Sequence, residues 1–200
     1  MGKASWVKVT PSQGSGNATV TVASHNYHTG RKARTTTLTW KAANVEDVVR
    51  NVSQAGKPEY VDIDDAASSE KEGKIVTISG VSNSAKLTFK LGVGDLNISL
   101  PAQYTANSLA TNNGANISGD PGASQEYPFS ISINVPANEG TTAISRQIIV
   151  TDGAGHQDVC LLTLAAGNAY ISVQLGDIEL DYQGNPVNVY VESNTTWTIE

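Results

Sequence analysis

The sequence predicts an all-β protein of two β-sandwich domains, the first of them split between the two ends of the chain. Three observations predict this. Apolar residues alternate with polar ones at period two in Ala18–Val22, Lys86–Leu91, Phe129–Ile133 and Val187–Val191, the pattern of strands with one buried face. Turn formers separate them at Gln13–Asn17, Tyr27–Gly30, Gly119–Gly122, Asp152-Gly153 and Gln183–Asn185. Finally, residues 178–200 read as the opening of a domain, whereas residues 4–40 read as a domain without its opening strands.

Taken in order, residues 1–62 form a partial sandwich and 63–72 an acidic connector. Residues 73–170 form a second sandwich, and 171–200 a strand pair that completes a domain of the first type. In the first unit Val20, Val22, Leu38 and Trp40 lie on single strand faces and are expected in a core. Phe129, Ile131 and Ile133 are expected in the core of the second. Val45–Asn51 is the one stretch that could turn as a helix. Asp152-Gly153 suits a two-residue hairpin turn, which needs positive φ at both central positions.

A faint repeat links the halves. Asn26 is followed by Arg34 and Ala55-Gly56, and Asn138 by Arg146 and Ala166-Gly167, with eight residues from Asn to Arg in both. Each Arg opens an edge-like strand and is expected to pair with a carboxylate.

Charge is sparse and acidic: 13 Lys and Arg against 19 Asp and Glu, a net of −6. Nucleic acid is not an expected partner, because phosphate recognition needs clustered cations. No run of 18 apolar residues is present, so no membrane contact is expected. Cys160, the single cysteine, sits among apolar neighbours and is expected to be a buried, inert thiol. Met1-Gly2 opens a segment without the apolar stretch of a secretory leader.

Chemistry of an enzyme is hard to place. Ser82 and Ser145 lack a nucleophile elbow. His25 and His28 flank a turn and read as solvated loop residues rather than a metal pair, and His156 sits at a hairpin tip without an evident partner. Asp62, Asp64 and Asp65 lack the spacing of a calcium loop. No catalytic residue, cofactor or metal is expected. Sugar recognition remains open, since glycan faces pack on exposed aromatic rings. Tyr27, with His25 and Trp6, is the candidate contact.

Several of these residues carry a family resemblance. Trp6–Val22 with its Pro11, Gly14 and Gly16, followed by Asn26, Arg34 and Gln54-Ala55-Gly56, resembles the second half of a BACON domain. That is an immunoglobulin-like module of Bacteroidetes proteins and of virion proteins of crAss-like phages. The family's opening half, a strand pair leading to Ser-Asn and then Trp, is similar to Gly184–Val191 with Ser193-Asn194 and Trp197. The middle segment is similar but more divergent, with Ser82-Asn83 recognisable.

The resemblance implies glycan binding or a spacer role. Together with the divided domain, it leads to the expectation of a non-enzymatic virion protein, a capsid decoration, auxiliary or fibre component assembled in the host cytoplasm. Its partners would be other copies or other virion proteins, and host or mucin glycans. Val187, Val189, Val191 and Trp197 would form the segment exchanged between copies. The alternative is a carbohydrate-binding module of an extracellular or cell-surface protein. A tail reaching away from the body would suit donation to a neighbour, and one folded onto residues 5–40 would suit self-closure. An independent hairpin would count against both.

Overall fold

The computed structural model describes residues 3–174 and 176–200; Met1, Gly2 and Leu175 lie outside the described residues, and with them the leader reading of Met1-Gly2. The strands are β1 (Val7–Thr10), β2 (Thr21–Ser24), β3 (Arg34–Trp40), β4 (Val48–Gln54), β5 (Val61–Ile63), β6 (Ala66–Ser69), β7 (Lys74–Ser82) and β8 (Thr88–Gly94). They continue with β9 (Gln103–Ala106), β10 (Leu109–Asn112), β11 (Tyr127–Val135), β12 (Ile144–Thr151), β13 (Gln157–Leu164), β14 (Ile171–Val173) and β15 (Val191–Ser193). The only helical element among the described residues is a 3₁₀ turn at Pro121–Ala123.

One complete sandwich occupies the middle of the chain. Its first sheet runs β10-β9-β11-β7-β5 and its second β6-β13-β12-β8. Strand β11 alternates Tyr127, Phe129, Ile131, Ile133 and Val135 inward, all buried, with Ile131 opposite Ile78 and Ile133 opposite Val76 on β7. The second sheet adds Phe89, Ile148, Val150, Cys160, Leu162 and Leu164 to the same core. Burying each large apolar side chain contributes about 1.5–3 kcal/mol. Gly80 makes room for this packing: a Cβ there would lie 2.4 Å from the Phe129 ring and 2.3 Å from the Asp62 carbonyl.

The expected connector at 63–72 is corrected. Residues 61–69 supply two strands of the sandwich, β5 paired antiparallel with β7 and β6 parallel with β13. Acidic residues here alternate with buried ones, so Ile63 enters the core while its flanking carboxylates face out. Asp64 Oδ2 accepts the Ser79 N–H, and Asp158 Oδ2 that of Ile63. High charge marked a solvated strand face, not a loop.

Three local expectations are also corrected. Val45–Asn51 runs into strand β4, paired with β3, because its Val-rich tail favours the extended form. Strand β12 lies inside its sheet between β13 and β8, not at an edge. The turn after β12 is wider than two residues, with Thr151 opposite Gln157 and positive φ at Gly155. Asp152 is buried there, and its Oδ1 accepts the N–H groups of Ala154 and His156.

The flanking fragments are open. In the first, β1 pairs only with β2 and β3 only with β4. Val7 and Leu38 are buried, but Val20 is only half-buried, and Trp40 and Val22 are each 40% exposed. The expected first core is therefore incomplete, since among the described residues no further strand pairs with β1–β4. At the other end β15 pairs with β14, Ile171 opposite Ser193 and Val173 opposite Val191. This segment is a hairpin, not an extended tail, and no strand pairing joins it to residues 5–40 of its own chain among the described residues. That is the outcome that counts against both donation of an extended tail and self-closure.

Candidate functional site

The hollow lined by Ser24, His25, Asn26, Tyr27 and Gln54 sits where β2 leaves its sheet and β4 ends. Arg34 organises it from below. Its Nε and Nη2 donate to Gln54 Oε1 at 2.9 and 2.7 Å, and Nη2 also reaches the Asn26 carbonyl at 3.3 Å. Ser24 Oγ donates to the same carbonyl at 2.7 Å. The loop is thus held by neutral acceptors. Among the described residues the carboxylate partner expected for Arg34 is absent, as it is for Arg146, which donates to the carbonyls of Leu96 and Gly92. A guanidinium with five donors suits clustered carbonyls as well as a carboxylate.

Tyr27 stands 97% exposed at the rim, and His25 is exposed beside it. Trp6 is half-buried, with the Arg34 guanidinium carbon 4.7 Å over its ring, so that face of the indole is occupied. His28, read as a solvated loop residue, is instead buried, with Nε2 2.6 Å from the Lys32 carbonyl. A ring nitrogen facing a carbonyl must carry the proton, which fixes the tautomer and turns His28 into a loop clasp.

A second constellation joins the first fragment to the sandwich. Asn83 is fully buried; its Nδ2 donates to the carbonyls of Thr29, Lys57 and Pro58, while Oδ1 accepts the Tyr60 N–H at 3.0 Å. Ser82 Oγ donates to the Tyr60 carbonyl and accepts the Ser84 N–H. Arg31 donates to the Asn83 carbonyl at 3.0 Å and to Asp120 Oδ2 at 2.5 Å. The Arg31 hydrogen bond holds the Asp120 carboxyl below the usual carboxylate range.

At the far end the same pattern recurs. Asn194 Nδ2 donates to Glu139 and Asn168 carbonyls, and Oδ1 accepts the Tyr170 N–H at 3.0 Å. Ser193 Oγ donates to the Tyr170 carbonyl and accepts the Thr195 N–H. The repeated Ser-Asn step was visible in the sequence; its role as a joint was not, because its partners are distant carbonyls.

Ser84, His156 and Cys160 lie outside the Tyr27 hollow. The Ser84 hydroxyl accepts from Lys86 N and Gly153 N and faces Glu59 Oε1 and the Lys86 carbonyl. His156 has a partner that the sequence did not suggest, Asp152 Oδ2 at 2.8 Å, yet lies largely exposed. Burial, followed by the charges of Asp64, Asp65 and Asp158, pushes the Cys160 thiol up to about 11. Among the described residues no group of three or more His, Cys, Asp or Glu is placed to hold a metal ion. No helix among them is long and apolar enough to cross a membrane.

Val187 and Trp197 of the expected exchange segment are nearly half exposed, Val189 and Val191 half-buried. Of the four only Val191 lies in a strand, opposite Val173; the expected strand Val187–Val191 is corrected to one that begins at Val191.

The fold defines an all-β protein with an immunoglobulin-like sandwich in the middle of its chain. Residues 1–55 match the model of the BACON family, described as "Putative binding domain, N-terminal". That supports a BACON-type domain in the first unit. No curated protein matches the chain. Among solved structures, the chain is similar to the NMR structure of a protein from Bacteroides thetaiotaomicron, at 13% identity and TM-score 0.28, over 56% of this chain and 89% of that one. It is also similar to an endo-fucoidan hydrolase of glycoside hydrolase family 107, at 9% identity and TM-score 0.29, over 82% of this chain and 22% of that one. Likenesses this remote carry no functional weight.

Proposed function

We propose that this is a non-enzymatic structural and assembly protein whose BACON-type units are completed by strands of neighbouring copies. One observation carries the reading. In the complete sandwich β5 pairs with β7 so that Val61 faces Ser82 and Ile63 faces Gly80. In the terminal hairpin Ile171 faces Ser193 and Val173 faces Val191, the same register on the same Ser-Asn step. The hairpin is therefore an opening half. On the other edge of β7 stands β11, whereas β15 has no second neighbour among the described residues.

Strand β2 of the first fragment is the counterpart of β11, since each leads to the repeated Asn-to-Arg spacing. An open edge beside exposed Val187 and Trp197, and a closing half with exposed Val22 and Trp40, are complementary. The exchange expected of an extended tail is thus recast as docking of two half-sandwiches. Such a contact is heterologous and propagates. A phage virion, as decoration, auxiliary or fibre component assembled in the host cytoplasm, is the setting that the family resemblance and the sparse charge favour. Sedimentation velocity over a wide concentration range tests the reading. Mass should rise with concentration; a strict monomer would overturn it.

A carbohydrate-binding module on an extracellular or cell-surface protein is the second reading, favoured by fully exposed Tyr27 above polar Asn26, His25 and Gln54. Host or mucin glycans would be the ligands. Tyr27→Ala should abolish retention on a glycan array, and equal retention of both proteins would dismiss the site.

A further inference from the structure

We infer that the outer face of the second sheet of the complete sandwich is a contact surface for a second copy of the chain, packed sheet on sheet about a two-fold axis parallel to the strands. The inference is independent of the proposed completion of half-sandwiches, because it rests on the middle domain alone. Joints to the flanking segments lie at opposite poles of that domain. Ser82-Asn83 stands at the end of β7, whereas Asn138 follows β11, whose last residue, Val135, lies opposite Lys74 at the start of β7. Segments joined at the poles leave the sheet faces lateral.

The two outer faces differ in chemistry. On the first sheet, alternation along β7 and β11 turns Thr77, Ser79, Ser130 and Ser132 outward, and Thr77 Oγ1 lies 2.9 Å from Ser132 Oγ. Such a face suits water. On the second sheet, the residues between buried Ile148, Val150, Cys160 and Leu162 turn outward, which brings Ile149 opposite Val159 and Leu161 opposite Ala66. Val159 is 37% and Leu161 43% exposed, and Ile149 is half-buried. Gly92 keeps the β8 side of this patch flat, since a Cβ there would lie 2.9 Å from Ile149 Cδ1. A contiguous apolar face rimmed by polar residues marks a contact surface.

Charge identifies the occupant. Lys90, opposite Ile149 on β8, is the one charged side chain among the described residues that alternation turns outward from these four strands. The far rim is acidic. Because Leu161 lies opposite Ala66 in the parallel pairing of β13 with β6, exposed Asp64 and Asp65 close the row that holds Ile149 and Val159. Strands β8 and β6 are the outer strands of the sheet, three spacings or about 14 Å apart, so Lys90 cannot reach Asp65 of its own chain. A two-fold axis parallel to the strands lays β8 of one copy over β6 of the other. Lys90 then meets Asp65 of the second copy twice, and β12 lies over β13, so that the apolar residues cover each other. The same face therefore supplies both the apolar match and the opposite charge. Twisted sheets pack aligned within about 30°, which accommodates that axis, and an isologous contact of this kind closes as a dimer.

Carbodiimide coupling of the full chain, mapped by mass spectrometry, tests this alongside sedimentation velocity. An amide between Lys90 and Asp65 or Asp64 is expected in the cross-linked dimer and not in the monomer. Leu161→Lys puts a charge into the apolar patch without touching the core, so the melt should be unchanged and association about ten- to a hundredfold weaker. Lys90→Glu should weaken association and remove the link, and adding Asp65→Lys to it should restore association. Undiminished association of both Leu161→Lys and Lys90→Glu, with no such link in the wild type, would overturn the contact and leave the completion of half-sandwiches standing. A wild type that is monomeric at every concentration would overturn it too, and would leave the patch to a partner other than this chain.

Discussion

Arg34 lies over Trp6, its guanidinium carbon 4.7 Å from the ring centroid. The same guanidinium holds Gln54 and the Asn26 carbonyl. One residue therefore ties the end of β4, the loop after β2 and the indole ahead of β1. The bond to Trp6 is worth about 0.5–1 kcal/mol at such a half-exposed site, less than the charged hydrogen bonds together. Arg34→Ala should lower the melting temperature of the first fragment more than Trp6→Ala. Equal shifts would show that Arg34 does no more than cover the indole.

Asn83 satisfies three carbonyls and one N–H in a site without water access. Replacing it by Ala leaves them unpaired, at a cost of about 2–4 kcal/mol. Asn83→Asp should be at least as damaging, because a carboxylate would face three carbonyl oxygens. Urea unfolding followed by Trp fluorescence reads this out. A loss below about 0.5 kcal/mol in both variants would remove the residue from the joint.

The Asp120 carboxyl is held low by Arg31. A carboxyl depressed in the folded state contributes stability that is present above the unfolded value of about 3.9 and fades as pH falls through the folded value. Wild type should therefore melt above Asp120→Asn at neutral pH, with the gap closing in acid below about pH 4. A gap that widens in acid would contradict the ion pair.

Cys160 is buried in the central core, with its thiol pushed up to about 11. The native protein should leave a thiol reagent unconsumed at neutral pH and react stoichiometrically once unfolded. Rapid native labelling would mean that β13 opens far more readily than its central pairing allows.

Period-two patterning made β11 legible, since Phe129, Ile131 and Ile133 can all turn inward only in an extended strand. The same reasoning misplaced Trp40 and Val22, because an apolar face says which side wants cover and not whether cover is present. Asp62–Asp65 failed differently. Charge density suggested a connector, but alternation with Val61 and Ile63 made it a strand once β7 lay alongside. Of the candidate site, exposed Tyr27 and His25 matched their turn, while Trp6 could not be foreseen beneath an Arg 28 residues away.

The amino-acid sequence by itself determined the all-β class, the inward faces of the core strands and the recurring Ser-Asn steps. Each is a local property, set by alternation or by adjacent residue types. Only the tertiary structure decided that Asn83 reaches the Thr29 carbonyl across 54 residues and that Arg31 meets Asp120 across 89. It also decided that β15 turns back onto β14. Those partners are backbone carbonyls and distant strand edges, which every sequence possesses in abundance. Which of them meet is set by how the sheets close, because only closure brings remote backbone within hydrogen-bonding distance.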